Sequence, residues 1–243
     1  IENLIDRAKS ANCSALVITL DLQILGQRHK DIKNQMTAPP RLTIKNMLNM
    51  ATKPRWCLGM LQTKRHGFSN IIGHATGVEN LTSLSDWSAK TLMRTLNWDD
   101  LDWIIKRWGG KVILKGIQDV EDAKMAVKTG ADAIIVSNHG GRQLDGALSS
   151  IRSLPSIIDA VGDQIEVWMD GGIRSGQDVA KAVSLGAKGV MIGRPFIYGL
   201  GAMGQKGVSK ALDIIHKELD TTMALCGERN ITNMSRDNLL IPK

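Results

Sequence analysis

Two stretches of this chain repeat one junction. Residues 127–137, VKTGADAIIVS, and residues 183–193, VSLGAKGVMIG, each read as a helix end, a Gly-Ala turn and a short apolar run. Glycine stops a helix there because it enters the left-handed region without a Cβ penalty. The apolar residues that follow are consecutive, not alternating, which is the pattern of a parallel strand covered on both faces. The same pattern occurs at Ala15–Asp21, Lys111–Gly116, Ala131–Asn138, Glu166–Gly172 and Gly189–Arg194. Helical periodicity occupies Glu2–Ala11, Trp98–Trp108, Asp119–Thr129, Gln177–Leu185 and Gly207–Leu225. Parallel neighbours need such crossovers, because a two-residue turn cannot return the chain to the same end of the sheet. The expectation is a parallel α/β fold forming one domain over residues 1–243, with no Pro/Ser-rich linker.

The length of 243 residues suits a (β/α)8 barrel, yet only five strands are counted. Much of the difference lies in residues 22–97, a connection far longer than ordinary loops. It contains Pro39-Pro40, Met36, Met47, Met50, Met60 and the apolar knot from Trp56 to Leu61. It also holds most of the charge. From Arg28 to Arg65 nine Lys/Arg face one acid, Asp31, a net of +8 in a chain whose total is +7. The remainder is nearly neutral. No nucleic-acid recognition motif accompanies the basic run, so a nucleic-acid partner is not expected. Basic residues beside Trp and aliphatics suit either an interfacial membrane contact through residues 36–61 or a solvated lid. The three cysteines, Cys13, Cys57 and Cys226, are scattered. That spacing predicts neither a zinc site nor a disulfide framework, and Cys13 and Cys226 are read as buried small side chains. Trp98, Trp103 and Trp108 are read as packing residues.

Candidate chemistry gathers at the strand ends. Ser137-Asn138-His139-Gly140-Gly141-Arg142 follows the third run. His titrates near neutrality and serves as a base, while the planar fork of Arg suits a carboxylate. Asp170-Gly171-Gly172-Ile173-Arg174 and Gly193-Arg194-Pro195 close the next two runs. Their glycines bare backbone N–H groups, and each precedes a helix, as phosphate sites require. Lys115 ends the second run, as a Schiff-base nucleophile or a fixed cation beside an anionic cofactor. Thr19 and Asp21 end the first and share a face. Asp21 either orients His139 or caps a helix.

On these residues the chain resembles the FMN-dependent α-hydroxy-acid dehydrogenase and oxidase family over essentially its whole length. The block SNHGGRQLDG at 137–146 is highly specific to that family; DGGIRSGQDVAKA and GVMIGRP are less so. The resemblance implies a (β/α)8 barrel lacking its first three βα units, with the long basic loop at 22–97 inserted after the first strand present. It also implies FMN as cofactor and an L-2-hydroxy acid, L-lactate foremost, as substrate. His139 would be the base, Asp21 its stabiliser, and Arg142 the carboxylate anchor with Arg28 adding a contact. Lys115 would lie beside the flavin. Thr19 and Ser137 would touch FMN, and Asp170, Gly171, Gly172, Ile173, Arg174, Gly193 and Arg194 would line its ribityl and phosphate site. No metal is implied. The acceptor would be a quinone or cytochrome, with an O2-using oxidase or a silent binding module as alternatives. A homotetramer and a cytoplasmic or inner-membrane-peripheral location are also implied. The family's substrate-binding Tyr precedes the matched region, and the sole tyrosine here, Tyr198, follows the last strand.

Overall fold

The computed structural model describes residues 1–24, 26, 28–34, 43–63, 68–72, 74, 78 and 95–240. The chain divides into two compact units: Ile1–Ala11 with Gly26–Arg94, and Asn12–Leu25 with Thr95–Lys243.

The second unit carries a five-stranded parallel sheet in the order β1 (Ala15–Thr19), β2 (Lys111–Ile117), β3 (Ala133–Val136), β4 (Glu166–Asp170), β5 (Gly189–Met191). All five expected strands are present. Sequential order with parallel pairing is the arrangement of consecutive βα units. The central strand β3 is buried at every position, which explains its unbroken apolar run. Register places Thr19 beside Lys115 and Lys115 beside Ile135. Between Lys115 and Ile117 the pairing with β3 slips, and Gly116 sits at the slip with φ +104°. Such a bulge re-aims the neighbouring side chain, here Lys115 at the strand's carboxyl end.

Local chemistry fixes the crossover helices. With β-strands numbered separately, α1 (Glu2–Ser10), α2 (His29–Lys33), α3 (Ile44–Ala51) and α4 (Pro54–Gln62) belong to the first unit. The second holds α5 (Asp99–Trp108), α6 (Val120–Lys128), α7 (Ser150–Val161), α8 (Gly176–Ser184), α9 (Arg194–Met203) and α10 (Gln205–Leu225). α5 has three acids in its first turn, Lys106 and Arg107 in its last, and Gly109 at φ +65° as its stop. It buries Leu101, Ile104 and Trp108, one stripe at helical spacing. A capping box between Ser175 and Asp178 starts α8. The core lies between the sheet and these helices, with Leu114, Ile134, Ile135, Leu154, Ile157 and Met169 essentially inaccessible.

Three expectations need correction. α7 was not foreseen from the sequence, because Pro155 lies inside it. Burial of Leu154, Ile157 and Val161 outweighs the proline's cost, about 3 kcal/mol in a helix interior. Cys13 and Cys226 are exposed, not buried. Cys13 follows the turn at Asn12 and Cys226 caps α10, so neither lies on an inward-facing stripe. Trp103 is 40% exposed, while Trp108 does pack inward and donates its indole N–H to the Lys111 carbonyl.

In the first unit, Arg7 of α1 donates to the Asn70 carbonyl (2.9 Å) and side-chain oxygen (3.1 Å). Residues 22–97 include α2, α3 and α4, so the described part of this long connection is substantially helical. Thr43 caps α3 by accepting from the Asn46 N–H. Pro39-Pro40, Met36, Arg41, Lys64 and Arg65 lie outside the described residues.

Candidate active site

A cleft of about 480 Å3 opens at the carboxyl ends of the strands. It is lined by Lys115, His139, Arg142, Asp170, Gly171, Gly172, Ile173, Arg174, Gly193 and Arg194 among others. Residues from four successive strand-to-helix connections thus meet in one place, as expected of the carboxyl end of a parallel sheet.

On its floor, Lys115 Nζ lies 2.6 Å from Asp170 Oδ2, both side chains about one-sixth exposed. Ser137, fully buried, uses its hydroxyl completely. It donates to Asp170 Oδ1 and accepts from Lys115 Nζ (2.9 Å) and the His139 N–H (3.0 Å). One donor and two acceptor sites are all a serine hydroxyl offers. Ser137 therefore lies beneath the cleft, joining the cation of β2, the carboxylate of β4 and the backbone of the histidine loop. Thr19, at the end of β1, pairs with Lys115 in the sheet and is not among the residues lining the cleft.

His139 takes a left-handed backbone, φ +55°, followed by Gly140 and Gly141 at +68° and +71°. A non-glycine residue held at positive φ is uncommon and costs of order 1–3 kcal/mol. The Asn138 side chain supports it, its carbonyl oxygen accepting from the N–H groups of Gly140 (3.0 Å) and Gly141 (3.2 Å). Arg194 reaches back to the Gly140 carbonyl at 2.9 Å. His139 Nδ1 meets Asp21 Oδ1 at 3.2 Å. A carboxylate accepts at this contact, so in the neutral imidazole Nδ1 is the donor and Nε2 the acceptor.

The phosphate-site candidates form a cradle. Gly171 and Gly172 have φ +84° and +85°. A Cβ on Gly171 would meet Ser150 Oγ at 2.9 Å, whereas one on Gly172 or Gly193 would stand in open space. Backbone therefore faces empty cleft at both connections, with Arg174 and Arg194 on the rim. That arrangement fits a phosphate, and the Lys115 floor fits an anionic ring system. Asp178 fixes the cradle's exit, accepting from the Arg174 (3.0 Å) and Ser175 (3.1 Å) N–H groups. Arg28 belongs to the first unit, preceding α2. No group of three His, Cys, Asp or Glu able to hold a metal occurs among the described residues.

The model of the FMN-dependent dehydrogenase family matches residues 1–241. The chain belongs to that family. It is 44% identical over 241 residues to an L-lactate dehydrogenase of Azorhizobium caulinodans, covering 99% of this chain and 63% of the relative. The L-lactate dehydrogenase of Caulobacter sp. (strain K31) is 43% identical, with 98% and 63% covered. Among solved structures, the monotopic membrane protein (S)-mandelate dehydrogenase superposes with a TM-score of 0.92 at 32% identity, covering 98% of this chain and 63% of that one. A mandelate oxidase gives 0.75 at 35%, with 97% and 58% covered. The chain thus spans under two-thirds of the length of these relatives. The FMN-dependent dehydrogenase membership accounts for the five-stranded sheet as consecutive βα units of the barrel.

Sequence reasoning missed Asn138 as the loop's support, Gly116 as the bulge and Gln143. An Asn before Gly-Gly is a recognisable turn signal. Gln143 carried no such signal: its Nε2 donates to the carbonyls of Asp21 (2.9 Å) and Ile24 (2.7 Å), about 120 positions earlier.

Proposed function

We propose that the chain carries the catalytic half of an FMN-dependent oxidation of an L-2-hydroxy acid, L-lactate foremost, to the 2-oxo acid. The observation that carries this reading is His139, with Nδ1 engaged by Asp21 and Nε2 left for the cleft that Arg142 and Lys115 also line. Bound FMN would supply a two-electron acceptor, the chemistry no side chain provides. Arg142 grips the substrate carboxylate through its planar fork. Arg28 is a candidate for a second carboxylate contact. Nε2 of His139 accepts the proton that leaves the substrate, and Asp21 offsets the resulting imidazolium charge. Lys115 supplies positive charge at the floor, held in place by Asp170 and Ser137. Lys115 and Asp170 would form the flavin-facing floor, braced from beneath by the buried Ser137, while Thr19 lies outside the lining of the cleft. Gly171, Gly172, Ile173, Arg174, Gly193 and Arg194 would hold its ribityl and phosphate.

Mixing the chain with FMN and following flavin absorbance anaerobically tests the reading. Bleaching by L-lactate, abolished by His139→Gln, is expected; an unchanged spectrum overturns it. Reoxidation of the bleached flavin by quinone but not O2 is expected of a dehydrogenase; the reverse marks an oxidase.

A peripheral membrane contact through residues 36–61 is a second part of the reading. Residues 36–42 lie outside the described ones. Ile44, Leu48, Trp56, Leu58 and Leu61 are each at least half exposed, beside Lys45, Lys53 and Arg55. No helix among the described residues is long and apolar enough to cross a membrane, and an apolar face with basic neighbours suits interfacial docking. Flotation with anionic vesicles, lost on deleting 36–61, supports it; retained flotation refutes it. Sedimentation equilibrium tests assembly as a homotetramer.

A further inference from the structure

The orientation of His139 depends on the Asp21 carboxylate, yet little fixes that carboxylate directly. Oδ1 faces His139, and Oδ2 is buried without a hydrogen-bond partner among the described residues. A carboxylate so sparsely bonded must be aimed by its backbone. Two features do this. Gly116 makes room: a Cβ there would lie 2.8 Å from Asp21 Cγ and 2.9 Å from its Cβ. Gln143 supplies the grip. Its single amide nitrogen has two hydrogens, and they serve the carbonyls of Asp21 (2.9 Å) and Ile24 (2.7 Å). A hydroxyl would make only one such bond. The clamp joins the segment after β1 to the loop that carries both His139 and Arg142.

We infer that Gln143 is a positioning residue. By holding the Asp21 carbonyl it fixes the direction from which the carboxylate meets Nδ1, and so fixes which imidazole nitrogen faces the cleft. The inference rests on His139 as the base, as proposed above. It goes further, because it assigns the tautomer to a residue that acts through the backbone carbonyls of Asp21 and Ile24.

The 243-residue chain, labelled with 15N-histidine, tests this without flavin or substrate. Long-range proton–nitrogen spectra distinguish Nδ1–H from Nε2–H imidazoles, and His139→Gln identifies the signals. The parent is expected to show His139 in the Nδ1–H form. Gln143→Ala should lose that dominance, with Nε2–H signals appearing, as should Gln143→Met, which keeps the side-chain length but has no donor. Gln143 is only half-buried, and circular dichroism reports whether each variant keeps its helices. An unchanged Nδ1–H form in either folded variant overturns the inference, and so does a parent already in the Nε2–H form. Failure of flavin bleaching in the parent, measured separately, would instead strike the proposed activity.

Discussion

Removing one hydroxyl, with Ser137→Ala, tests the buried junction under the cleft. The Ser137 oxygen makes three hydrogen bonds at zero exposure, two of them to the Lys115–Asp170 ion pair. Bonds to charged groups are worth about 1.5–3 kcal/mol net, and a neutral one about 1 kcal/mol. Lys115 and Asp170 still reach each other at 2.6 Å in the variant, so the charged bonds belong at the low end. Water entering the vacated position returns part of the loss. The expected destabilisation is about 3 kcal/mol, or roughly 6–12 °C in melting temperature at this size. Urea denaturation followed by far-ultraviolet circular dichroism measures it. Ser153→Ala is the control: Ser153 is also buried, but among the described residues its hydroxyl meets only the Gln118 amide, at 3.2 Å. It should cost about 1 kcal/mol. If the two variants lose equal stability, the three bonds do not act as a junction and the reasoning fails.

Three further outcomes are expected. Arg174→Ala and Arg194→Ala should each weaken FMN binding about ten- to a hundredfold, the worth of one charged hydrogen bond, read from quenching of flavin fluorescence. Gly176→Ala should destabilise the chain by about 3 kcal/mol in thermal unfolding, the top of the usual overpacking range. Its new Cβ would stand 1.9 Å from the Leu219 backbone nitrogen in α10. Asp132 accepts from Lys111 Nζ (2.5 Å) and the Val112 N–H (2.9 Å), which hold its carboxyl below the ordinary value of 3.8. A lowered folded pKa gives stability that is present above the unfolded value and lost as pH falls through the folded one. Urea midpoints of the parent and Asp132→Asn should therefore differ at neutral pH and converge below about pH 4; a gap that stays constant excludes the linkage.

The strands were legible because parallel pairing under covering helices writes itself as consecutive apolar residues, most fully in β3, and a Gly-Ala turn marks the entries to β3 and β5. α7 was hidden because Pro155 reads locally as a breaker, whereas its outcome was decided by three buried side chains on the same helix. The grouping of Lys115, His139, Arg142, Arg174 and Arg194 in one cleft was legible from a single rule, that parallel strands end on one side. The supports were not. Gln143 meets carbonyls near residue 21, and Ser137 meets a carboxylate 33 positions away. Such pairs arise only when the sheet brings its ends together, and no local period encodes them. The exposed cysteines show the converse error, an average burial preference applied to residues whose place was set by a turn and a helix cap.

The ion pair on the cleft floor shapes the field that an anionic ligand would meet. Lys115 presents its charge as one end of a neutral couple with Asp170. Opposite charges so close form a dipole, whose potential falls with distance one power faster than that of a lone charge. The floor therefore attracts negative charge at one spot and is nearly silent a few ångströms along. Arg174 and Arg194 on the exposed rim act at longer range, and dissolved ions screen them more than they screen the buried couple. Raising ionic strength would slow the arrival of an anion while leaving unchanged the point at which its charge comes to rest.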